Sequence, residues 1–324
     1  GNWITSNANF VFDRNGTQYI PALTCQNLTF RRYDVNTRNR ILEGNININD
    51  LNIEEGINML CSTSDDVSTP TYNVTMSGNF INNGTLYARR NTFAFESYDS
   101  DTKTIKQGQG SFDNVTFNQT ILGQNPRTYI LTEETRFYED LTIGAFATLN
   151  LNCQILRLGN DDQNDPVEPA VEQHQIQQDG ILEVDAGSSL IFSCRDIGNP
   201  TLNVDGTLKL IGTSGNNANI TSTDYYTDSR RIQININSGG TIAAQYYLIK
   251  YLTAEGLYID ANATIDPTNN LSNGTWADLP TGGGRYIYCN ANTSSIGTIN
   301  NVAFNYSANR SEERRVGKEC RSRW

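Results

Sequence analysis

Histidine is the usual proton shuttle near neutral pH, and this 324-residue chain has one, His174. It stands in Pro169-Ala-Val-Glu-Gln-His-Gln, an acidic, Gln-rich segment, which predicts a solvated loop side chain. No Ser-His-Asp or Cys-His arrangement can be built on that one position, so no catalytic residue is assigned. The densest carboxylate group is Asp161-Asp162-Gln-Asn-Asp165, with Glu168 and Glu172 close by. Hard oxygen ligands at near-alternate positions suit calcium. Asp161, Asp162 and Asp165 are therefore the candidate metal ligands, and calcium is the candidate cofactor. The loop lacks the Gly and the terminal Glu of an EF-hand, and a solvated acidic loop is the competing reading. Asp65-Asp66 and Asp99-Ser-Asp101 read as turns.

Other motifs carry less chemistry. Gln107-Gly-Gln-Gly-Ser111 has the glycines of a phosphate loop but no Lys at the required place, and a β-turn is expected. Arg89-Arg90 and Arg230-Arg231 read as outward basic pairs. Tyr225-Tyr226, Tyr246-Tyr247, Tyr286 and Tyr288 could form an aromatic surface for sugar rings, or could be ordinary strand residues. None of the cysteines lies in a CxxC or CxH pattern, which argues against zinc. Single buried thiols are expected at Cys25, Cys61, Cys153, Cys194 and Cys289. Asn-x-Ser/Thr triplets at Asn27, Asn73, Asn83, Asn114, Asn219 and Asn273 are what so Asn- and Thr-rich a chain produces by chance.

The elements that must position these groups are strands. The apolar fraction is 37%, low for one thick core. Residues that favour turns and half-exposed strands outnumber good helix formers. The net charge of −11 is spread along the chain and repels nucleic acid phosphates. No apolar run is long enough to span a membrane, and a sugar or a divalent cation fits better as a partner.

Repeats set the architecture. A long unit begins at Phe10-Val-Phe12, continues through Asn27-Leu-Thr-Phe30 and Leu51-Asn-Ile53, and recurs at Phe93-Ala-Phe95, Asn114-Val-Thr-Phe117 and Leu141-Thr-Ile143. A shorter unit is apolar-x-apolar followed by an Asp, Asn or Gly corner. It appears at Leu182-Glu-Val184, Leu202-Asn-Val204, Ile234-Asn-Ile236 and Leu257-Tyr-Ile259. Two apolar residues two apart share one strand face, and the corner residues tolerate left-handed backbone. Spacings of 20 and 23 residues between units predict one circuit of a parallel β-helix, with Thr221–Asp228 as a loop inserted into a longer circuit. Strand, Asp-Gly, strand is also a hairpin signal, so an antiparallel sandwich or meander stays open.

At Thr17-Gln-Tyr-Ile-Pro-Ala-Leu-Thr24, Gly78-Asn-Phe-Ile-Asn-Asn-Gly-Thr-Leu86 and the Ile234–Ile265 segment, the chain resembles the large extracellular right-handed parallel β-helix repeat proteins of bacteria, many of them exported by the type IX route. The resemblance covers most of residues 9–309. It implies an all-β, right-handed parallel β-helix at the cell surface or outside the cell, truncated at both ends, with a structural or adhesin-like role and a surface or matrix polysaccharide as partner. Residues 310–324 carry six basic residues in fifteen and resemble a translated sequencing adapter; without them 18 basic residues face 32 acidic ones. The organisation expected is a β-repeat region over 1–160, an acidic loop insertion over 161–180, β-helix circuits over 181–309 and the non-native tail. A carbohydrate-active β-helix enzyme and a calcium-dependent glycan-binding module are the alternatives.

Overall fold

The computed structural model describes residues 3–4, 7–32, 34, 36–62, 71–88, 90–97, 101–119, 127–159, 172–193, 199–223, 231–280, 283–291 and 298–305. Every regular element among them is a β-strand, and every pairing between named strands is parallel. The sole antiparallel contact among the described residues is the isolated bridge from Thr213 to Asn216. The hairpin alternative therefore does not describe this chain. The arrangement is compatible with a parallel β-helix.

The strands stack into three ladders that the chain visits in turn. Leu202, for instance, pairs with His174 and Ile234 in the first ladder, and Leu208 pairs with Leu182 and Ile242 in the second. Ile220 pairs with Leu190 and Ile249 in the third. The first two ladders form one 21-stranded sheet; the third is divided between a 5-stranded and a 7-stranded sheet, bridged at Phe112 and Phe137. Parallel pairing of strands far apart in sequence requires each strand's backbone groups to be satisfied by the rungs on either side.

Alternation fixes which side chains face inward. In Thr201–Val204 the buried residues are Leu202 and Val204, and in Ile232–Ile236 they are Ile232, Ile234 and Ile236. Stacked rungs turn these positions into apolar columns. The middle of the core is aromatic: Phe80, Phe93, Phe95, Phe112, Phe117, Tyr129 and Phe137 are fully buried and in mutual ring contact. Outward Asn side chains bond from rung to rung: Asn235 Nδ2 donates to Asn203 Oδ1 at 3.0 Å, and Asn237 Nδ2 to Asp205 Oδ1 at 2.9 Å.

The ladders correct the repeat lengths. Leu182 and Leu202 are 20 residues apart, but Leu182 belongs to the second ladder and Leu202 to the first. Phe10 pairs with Leu28 in the second ladder, whereas Phe93 pairs with Val74 and Val115 in the first, so the two long units do not superpose wall on wall. The true step varies, from 18 residues between Phe10 and Leu28 to 34 between Ile155 and Ser189. All three walls demand the same inward apolar pair, so the pattern of one strand does not identify its wall.

Three arginines are interior: Arg40, Arg127 and Arg231. Arg40 is 0% exposed, and its guanidinium donates to the carbonyls of Gly16, Asn39, Phe12, Arg14 and Arg31 at 3.1 to 3.5 Å. Arg231 was expected to point outward. Instead it is 9% exposed and donates to the carbonyls of Leu252 and Leu279 at 3.2 Å and to that of Asp278. The five donors of a guanidinium can satisfy several chain-reversal carbonyls at once, which a hydrophobic side chain cannot.

Candidate functional site

The corner between the second and third ladders holds an open depression of about 410 Å³, lined by Asn82, Asn83, Lys106, Gly108, Gln109, Glu133 and Glu134. Three successive rungs supply it. Phe80–Asn82 leads through Asn83-Gly84 into Thr85–Tyr87. Lys103–Lys106 leads through Gln107-Gly108 into Gln109–Ser111, and Arg127–Leu131 leads through residues 132–134 into Thr135–Phe137.

Buried amides fix those corners. Asn82, 0% exposed, accepts from the Gly84 amide at 2.8 Å through Oδ1 and donates through Nδ2 to the Gln107 carbonyl. Gln107, also buried, donates to the carbonyls of Gly110 and Arg136 at 3.2 and 2.9 Å and accepts from the Arg136 amide at 2.5 Å. Gly108 has φ +68°, and a Cβ there would lie 2.4 Å from the Asn82 carbonyl oxygen, so this position requires glycine twice over.

The outer groups are a mixed set. Glu133 Oε1 accepts from the Gly108 amide, Lys106 Nζ donates to Asn83 Oδ1 at 2.5 Å, and Glu134 Oε1 pairs with Arg157 Nε at 2.5 Å. Two carboxylates, one ammonium and two surface amides thus surround one concavity. Sequence reasoning assigned none of these seven to a site: Asn82 appeared only in the Gly78–Leu86 string, Asn83 there and as a chance triplet, and Gly108 and Gln109 only within the Gln107–Ser111 motif. The available signal was the polar step that follows each second-ladder strand, at Asn82-Asn83-Gly84, Lys106-Gln107-Gly108 and Thr132-Glu133-Glu134. Gln107–Ser111 itself ends in a strand, not a helix.

The other candidates separate. Asp161, Asp162, Asp165 and Glu168 lie outside the described residues, as do Asp65, Asp66 and Asp99; among the described residues no three His, Cys, Asp or Glu side chains are placed to share a metal ion. His174 is not a solvated loop residue. The strand Gln173–Ile176 turns it into the core at 0% exposure, 5.6 Å from the Phe192 ring. Its Nδ1 accepts from the Leu141 amide at 3.2 Å, and burial pushes its pKa down to about 3. The alternation of strand Gln173–Ile176, with Ile176 two residues on, overrides the polar composition around it.

The tyrosines also divide. Tyr247 is buried, its hydroxyl donating to the Leu271 carbonyl at 2.9 Å and accepting from Trp276 Nε1 at 3.0 Å, and Tyr286 is 6% exposed. Tyr288, at 38% exposure, lies against Tyr258 with ring centroids 5.6 Å apart and the rings tilted, beneath the Arg285 guanidinium; Tyr225 and Tyr226 lie outside the described residues. Cys25 and Cys61 are buried, and burial raises the Cys25 thiol to about 11, so it is no nucleophile at neutral pH. Cys153 is exposed, Cys289 half-buried, and Cys194 outside the described residues.

No family model matches this chain, and no curated protein or solved structure matches it either.

Proposed function

We propose that this chain is a right-handed parallel β-helix forming a rigid, non-enzymatic stalk at the cell surface or outside the cell. One observation carries the reading: every named strand pairs in parallel with strands one circuit away, across three walls. Each circuit is stabilised by its neighbours alone, so length can be added without a larger core. Such a body suits spacing and display better than the enclosure of a substrate. The polar outer faces, tied by bonds such as Asn235 to Asn203, suit an aqueous exterior.

The test has two arms. Small-angle scattering of the purified chain should give an elongated particle, with the first ladder alone contributing roughly 50 Å of length at about 4.8 Å per rung. Labelling intact producing cells with a membrane-impermeant reagent should tag the protein. A compact scattering profile, or tagging that appears only after lysis, would count against the stalk.

The carbohydrate-active alternative keeps one specific observation, the presence of Glu133, Glu134 and Lys106 around one concavity. It requires release of sugar from a polysaccharide, abolished by Glu133→Gln. The calcium reading depends on Asp161, Asp162 and Asp165, and calorimetry with calcium alone decides it.

A further inference from the structure

We propose that the depression at Asn83, Lys106, Gln109, Glu133 and Glu134 binds an uncharged oligosaccharide, which rests on the surface-exposed stalk reading above. A sugar hydroxyl both donates and accepts. The lining offers acceptor-only carboxylates in Glu133 and Glu134, a donor-only ammonium in Lys106, and amides that do both in Asn83 and Gln109. Lys106 spends one of its three donors on Asn83. An apolar ligand would cover the Lys106, Glu133 and Glu134 charges without replacing their water contacts, which disfavours it. The two carboxylates are balanced by the Lys106 ammonium and by the Arg157 guanidinium that pairs with Glu134, so within a chain of net charge −11 no uncompensated positive charge is left to attract a uronate or a phosphate.

Preorganisation distinguishes this site from an ordinary polar surface. The corners that carry the lining groups are locked from beneath by Asn82 and Gln107, both buried, Asn82 donating to the Gln107 carbonyl and Gln107 to the Arg136 carbonyl of the next rung. Groups held this way lose little freedom on binding. The three corners succeed one another at the rung spacing of about 4.8 Å, close to the length of one sugar residue, so a linear glycan laid along the stack meets a new corner with each unit. Ile81, the in-register partner of Lys106, is 39% exposed on the same outward face and offers an aliphatic surface to the C–H side of a sugar ring.

The experiment is calorimetric titration of the whole chain with cellohexaose, laminarihexaose and mannohexaose at millimolar ligand, with the hexamer of galacturonic acid as the charged comparison. At least one neutral hexamer should bind and the galacturonate should not. Glu133→Gln keeps an oxygen to accept from Gly108 but removes the charge, so it should fold with an unchanged melting temperature. Combined with Lys106→Gln, it should weaken the neutral hexamer by about tenfold or more. No binding by any neutral hexamer, equal binding of galacturonate, or undiminished binding by the folded double variant would overturn the assignment. Scattering and surface labelling do not depend on these residues, so a confirmed surface stalk without sugar binding refutes this inference alone, and sugar binding by a protein tagged only after lysis refutes the stalk alone.

Discussion

A Cβ on Gly206 would sit 2.3 Å from the carbonyl oxygen of Gly180, one circuit away. The same corner recurs: Gly240 faces the Val204 carbonyl at 2.2 Å, and Gly180 that of Ile143 at 2.6 Å. These glycines are required by close approach, since the Thr207 amide must reach the Gly180 carbonyl at 2.8 Å. Gly206→Ala should therefore lower stability by about 1–3 kcal/mol through overpacking, read as a drop in melting temperature. Gly239 has φ +85° but nothing within 4 Å. Gly239→Asn, which tolerates that backbone, should cost far less.

Buried His174 gives the stability an acid limb. Its pKa falls from 6.5 to about 3 because burial disfavours the charged ring. Nδ1 accepts from Leu141, so the proton sits on Nε2, which has no partner among the described residues. The unfolded chain takes up a proton near pH 6.5 that the native chain refuses. This contribution is whole above that pH and is lost as pH falls toward 3, at about 1.4 kcal/mol per pH unit. His174→Asn keeps an acceptor but does not titrate. Urea melts from pH 7 to 4 should show a shallower loss for the variant, even if it is less stable at pH 7.

Arg40 is held by five main-chain carbonyls. Arg40→Met fills similar space but leaves buried acceptors unpaired, each worth roughly 1–3 kcal/mol, and should cause one of the largest losses of any single substitution in the chain. Arg40→Lys should not restore it, because an ammonium cannot reach the spread of carbonyls a guanidinium spans. Denaturant midpoints for the two variants check this.

Lys209 meets Glu183 at 2.6 Å, and Asn150 donates to the other Glu183 oxygen at 2.8 Å. Both charged side chains are partly exposed, at 34% and 25%. A double-mutant cycle with Lys209→Met and Glu183→Gln should give a coupling under about 1 kcal/mol, shrinking as salt is added.

Particular residues show how far the sequence could be read. Leu202, Val204, Ile234 and Ile236 could be recognised as inward pairs, and Asp205-Gly206 as a corner, because alternation and turn chemistry are local. The same local signals misjudged His174 and Arg231, whose polar side chains are paired by groups 33 and 21 or more residues away. The depression was illegible for a related reason: Asn83, Lys106 and Glu133 come from three circuits, and no spacing rule links circuits of unequal length.

The amino-acid sequence by itself determined that this chain is built of short strands with one apolar face, since that depends only on each residue and its near neighbours. Which wall each strand joins, the register of every rung, and the meeting of two glutamates with a lysine at one corner were decided by tertiary structure. Those outcomes rest on backbone bonds and side-chain contacts between circuits 18 to 34 residues apart, where insertions such as the segment between Thr142 and Gln175 erase any fixed period.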